Sequence, residues 1–91
     1  MLTRSQLDKV ILLAQSYGAD RLILFGSALH CPEKAQDIDI ACDGVSGWKL
    51  YELAAKIEEE LNMPLDLVPL SPPSRFTKHV ESKGRVLYDY R

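Results

Sequence analysis

Apolar positions recur along this chain in two rhythms, and the alternation between them lays out its elements. After Thr3 and Ser5, either of which can cap a helix start, Leu7, Val10, Ile11, Leu13 and Ala14 fall at helical spacing, and Gly18 supplies a left-handed stop. Leu22-Ile23-Leu24-Phe25 is instead an unbroken apolar run, which predicts a strand over Arg21–Phe25 buried on both faces. Residues 26–36 read as a turn with one helical turn that Pro32 begins or interrupts. A second strand is predicted over 37–42, closed by Asp43-Gly44. Trp48–Leu61 gives the clearest helix, with Leu50, Leu53, Ala54, Ile57 and Leu61 on one stripe and Asn62 as its stop. Leu65–Pro69 follows as a third strand. Ser71-Pro72-Pro73 is a stiff turn, 74–83 a helix closed by Gly84, and 86–88 a fourth strand at a sheet edge.

Helix, strand, strand, helix, strand, helix, strand is the order of an α+β fold in two layers, a sheet of three to four strands with helices packed on one face. The other face is then free for a site. No linker or repeat divides the chain, so one domain over 1–91 is expected.

Composition changes this picture little. The chain is 46% hydrophobic and 26% charged, which suits a folded globular protein rather than a disordered one. No apolar stretch approaches the roughly 20 residues of a membrane span, and the N-terminus turns polar at once, so a cytoplasmic location is expected. A net charge of -2 lacks the basic surface on which nonspecific nucleic-acid binding depends, and no direct nucleic-acid binding is expected. Cys31 and Cys42 form no CxxC pair and have no His at zinc-ligand spacing. Cys42 reads as a small buried hydrophobe and Cys31 as a loop residue.

The chemistry lies in the spacing of three carboxylates and one turn. On a strand, Asp37 and Asp39 share a face while Ile38 and Ile40 point to the core. Two carboxylates side by side repel unless a cation neutralises them, and Mg²⁺ favours a few carboxylates together with substrate phosphate oxygens. Asp66, between Leu65 and Leu67, projects onto the same face if its strand is a neighbour, giving three carboxylates for two metal ions. A lone Asp-x-Asp is more often a solvated strand end; the conjunction with Asp66 is what raises its weight. Gly26-Ser27 taken alone is a turn after a strand. Its functional reading is a close backbone approach to a phosphate, with N–H groups and the Ser27 hydroxyl as donors.

Leu24-Phe25-Gly26-Ser27, then 28–36, then Asp37-Ile38-Asp39 resembles the signature of the minimal nucleotidyltransferase (MNT) family, in the polymerase-β-like nucleotidyltransferase superfamily. The likeness runs from the first helix through Asp66 to Gly84-Arg85-Val86-Leu87-Tyr88. It implies a nucleotidyltransferase fold with a mixed sheet. It also implies that Gly26 and Ser27 bind the triphosphate of ATP and that Asp37, Asp39 and Asp66 form the catalytic, Mg²⁺-binding set. Family members often carry Arg soon after Gly-Ser and a Gly a few residues on; here the stretch is Ala28-Leu29-His30-Cys31-Pro32. A lone loop His reads as a solvated side chain, with partial replacement of that cation as the alternative.

The resemblance further implies AMP transfer from ATP to a tyrosine of a HEPN-domain toxin, this chain being the antitoxin in a hetero-oligomer, with a homodimer when alone as the alternative. The competing class is a non-catalytic antitoxin that neutralises its partner by contact. An enzyme acting on a small molecule would need an acceptor pocket for which no residues are evident. Glu58-Glu59-Glu60 and the basic set Arg75, Lys78, Lys83 and Arg85 read as solvated helix faces. Trp48, Tyr51 and His79 are expected in core or edge packing.

Overall fold

The computed structural model describes residues 3–31 and 37–90. Its elements are α1 (Arg4–Ser16), β1 (Arg21–Phe25), α2 (Ser27–His30), β2 (Ile38–Asp43), α3 (Trp48–Leu61), β3 (Leu65–Pro69), α4 (Arg75–Lys83) and β4 (Arg85–Asp89). The predicted interruption at Pro32 falls outside the described residues.

Local chemistry sets most boundaries. Thr3, not Ser5, starts α1 through a reciprocal capping box: Gln6 N donates to Thr3 Oγ1 at 3.1 Å and Thr3 N to Gln6 Oε1 at 2.9 Å. Ser74 and Thr77 repeat the device at α4, with Thr77 N donating to Ser74 Oγ at 3.1 Å and Ser74 N to Thr77 Oγ1 at 2.7 Å. Asn62 ends α3 in the left-handed conformation, φ 53°. At Gly84 a side chain has no room, because a Cβ would lie 2.7 Å from the Val80 carbonyl oxygen and against Ile23. That contact lets α4 turn directly into β4.

The sheet has the order β3-β2-β1-β4, with β2 and β3 parallel and the other pairs antiparallel. β4 is an edge strand, as expected. The mixed α+β sheet is therefore present, with β2 running Ile38–Asp43 rather than 37–42.

α1 and α3 cover one face. Val10, Ala14, Leu53, Ile57 and Leu61 pack there against Leu22, Leu24, Ile38, Ile40 and Cys42. Burial pushes the Cys42 thiol up to about 12, so it stays protonated and behaves as the apolar residue expected. The expectation that all helices share this face holds for α1 and α3 but not for α4. Val80 of α4 joins Ile23, Ala41 and Leu70 in a second cluster, with Phe25 and Val68 against it. The alternation of β1 explains this: Leu22 and Leu24 serve the first core, so Ile23 and Phe25 need cover on the other side. That face is consequently only partly free. Among the described residues no helix is long and apolar enough to cross a membrane.

Candidate functional site

The part of the second face left open by α4 holds the three predicted carboxylates. Parallel pairing of β2 with β3 sets Ile38 opposite Leu65, Asp39 opposite Asp66 and Ile40 opposite Leu67. Isoleucines and leucines turn to the main core, and Asp39 and Asp66 project together from the opposite face. Asp37 lies one residue before the strand, exposed, and lines the same cavity as Asp39, Asp66, Pro64 and Leu65, about 240 Å³ in volume. Asp37 and Asp39 thus line one cavity, Asp37 from the bend before β2 rather than from the strand itself.

Electrostatics records that convergence. The Asp39 carboxyl is held above its ordinary value, first by burial, then by the negative charge of Asp66, then by that of Asp37. Among the described residues the acidic groups are not drawn into a ready-made set of three metal ligands. Their hard oxygen donors are of the type that suits Mg²⁺.

Gly26 sits directly against Asp39. Its backbone, φ 78° and ψ -154°, lies in a region open essentially to glycine alone. A Cβ there would fall on the Asp39 carboxylate, whose Cγ and Cβ would be 3.1 and 3.3 Å away. Register explains the approach, since Phe25 pairs with Asp39 and Gly26 follows at once. Ser27 is exposed at the start of α2.

No family model matches the sequence, and no curated protein matches it. Solved structures do. A toxin–antitoxin structure with AMP-PNP is 27% identical, covering 91% of this chain and 73% of that one, TM-score 0.78. The complex of a tri-AMPylated Shewanella oneidensis HEPN toxin with MNT antitoxin is 26% identical, covering 97% and 73%, TM-score 0.76. A protein described as a minimal nucleotidyltransferase is 25% identical, covering 89% and 88%, TM-score 0.71. The chain is similar in sequence and fold to minimal nucleotidyltransferases of toxin–antitoxin pairs.

The chain also carries features that its sequence left unread. Arg21 is 6% exposed and donates through Nη1 to Glu81 Oε2 at 2.9 Å, with Nη2 3.9 Å from Asp43 Oδ2. It ties β1 to α4 and so fixes the helix beside the site. A strand-opening Arg gives no sign of this, because Glu81 is 60 residues away. Phe76 of α4 meets Phe25 edge to face, ring centroids 5.7 Å apart. Trp48 and Tyr51, expected in packing, are 69% and 79% exposed, and His79 is exposed as well. The reason in α3 is geometric: its buried stripe is Leu53, Ile57 and Leu61, and Trp48 and Tyr51 lie around the helix from it.

Proposed function

We propose that this chain is a Mg²⁺-dependent nucleotidyltransferase that moves AMP from ATP to a hydroxyl, most specifically a tyrosine of a HEPN toxin for which it is the antitoxin. The observation that carries the reading is the register of β2 and β3, which brings Asp39 and Asp66 together beside the Gly26 turn. A contact-only binder gives no reason to hold like charges together against their repulsion. The solved complexes with AMP-PNP and with a tri-AMPylated toxin support the nucleotide and the acceptor class.

In this reading Gly26 lets the backbone approach the triphosphate, and Ser27 donates its hydroxyl to a phosphate oxygen. Asp37, Asp39 and Asp66 are the residues that would hold Mg²⁺, two ions in full, whose charge offsets that of the phosphates and acidifies the attacking hydroxyl. Asp66, on the exposed strand β3, orients that hydroxyl and receives its proton on a carboxylate oxygen. The hydroxyl oxygen bonds to the α-phosphorus, and the bridging α–β oxygen leaves with its electron pair as pyrophosphate. The acceptor comes from the partner, which suits carboxylates that open outward rather than into a closed cleft.

The second reading, neutralisation by contact alone, is favoured by the stretch Ala28-Leu29-His30-Cys31-Pro32, which departs from the signature of the family the chain resembles. Asp66→Asn separates the two. It should retain partner and nucleotide binding yet lose labelled AMP transfer by about 10²-fold or more, the scale of a positioned base. Full neutralisation by this variant, with no adduct on the partner by mass spectrometry, would leave only the contact reading.

A further inference from the structure

Beside Gly26 lies a second cavity of about 150 Å³. His30, at the end of α2, and His79 and Lys83 of α4 line it together with Gly26 itself. His79 and Lys83 are four residues apart on their helix, so both project from one face. Val80, between them, is anchored in the second core and fixes that face against β1. Every polar side chain in the lining is basic, and no carboxylate is among the described lining residues. The C-terminal end of α4 by itself repels anions. The Lys83 ammonium and the imidazole N–H groups counter that field and make the cavity suited to an anion.

Gly26 lines the basic cavity, and its backbone also lies against the Asp39 side chain, so the basic cavity adjoins the carboxylates. We propose that the basic cavity holds the terminal phosphates of the nucleotide, with Lys83, His79 and His30 as their donors, while the α-phosphate stays over the carboxylates. This rests on the transfer reading above. It places the cations for the leaving pyrophosphate on α4 and the end of α2. Two of the three donors, His79 and Lys83, come from a helix far along the chain, which only the fold brings near Gly26.

The test uses the intact chain and inorganic tripolyphosphate, a probe with neither base nor transferable group. Calorimetry should show binding that falls about tenfold in Lys83→Ala and in His79→Ala, the loss expected for one charge-assisted hydrogen bond. Lys56→Ala, an exposed lysine of α3 outside this cavity, should bind as the parent does. Both cavity variants alter exposed side chains, and unchanged thermal melting will confirm that they fold. Absence of tripolyphosphate binding, equal binding in all variants, or an equal loss in Lys56→Ala would each overturn the proposal. If cavity-dependent binding is found but the partner is never adenylylated, the cavity stands and the transfer reading fails. If transfer proceeds while Lys83→Ala and His79→Ala bind tripolyphosphate as the parent does, the transfer reading stands and the cavity proposal fails.

Discussion

On the side covered by α1 and α3, β2 presents Ile38, Ile40 and Cys42, all buried against the two helices. On the other side the same strand presents Asp39 and then Ala41, and β3 presents Asp66. The first face removes side chains from water and gains most of the folding free energy available to a chain of this size. The second holds carboxylates in a partly desolvated place where they repel, so it works against stability. One strand supplies both faces because its side chains alternate. The apolar half of the alternation holds rigid the backbone from which the acidic half projects.

The comparison breaks most readily from the core side. Ile57→Ala removes a fully buried side chain between α3 and the sheet and should cost ~2–5 kcal/mol in denaturant unfolding. Where the variant remains folded, nucleotide affinity should change little, since Ile57 faces away from the carboxylates. An equal loss of affinity would show that the two faces are coupled rather than separate.

Gly26→Ala tests the junction. The backbone there lies where L side chains are strained, a cost of roughly 1–3 kcal/mol, and the new methyl must also displace the Asp39 carboxylate. Stability and nucleotide affinity should therefore fall together. Loss of stability with unaltered nucleotide binding would separate Gly26 from the site.

The smallest effect has the opposite sign. Because the folded Asp39 carboxyl keeps its proton above the ordinary value of 3.8, the native state binds more protons than the unfolded chain as pH rises through that window. Stability is lost across it, and the ionised group remains unfavourable at neutral pH. Asp39→Asn should then melt higher than the parent at pH 7, with the gain vanishing well below 3.8. A variant less stable at pH 7 would mean that Asp39 supports the fold rather than straining it.

How much of this was legible in the chain follows from the range over which each cause acts. Thr3 with Gln6, Asn62 and Ser74 mark helix ends through bonds or dihedrals within a few residues, so α1, α3 and α4 were readable almost to the residue. Arg21–Phe25 was readable because an apolar run of that length fits a buried strand, and Leu65–Pro69 because its short, mostly apolar run reads as a strand even though it is only half-buried. The carboxylates and the Gly26-Ser27 turn were identified by type and spacing, but their meeting was conditional on a strand pairing that the chain alone does not state. The register of Asp39 with Asp66, the crossing of α4 to the second face and the Arg21–Glu81 tie depend on residues 27 to 60 positions apart. So does the exposure of Trp48 and Tyr51, which follows from which side of α3 the core claims. Capping and periodicity are local and are written in consecutive residues. Which faces meet is decided by the burial of the whole set at once, and only the tertiary structure records that choice.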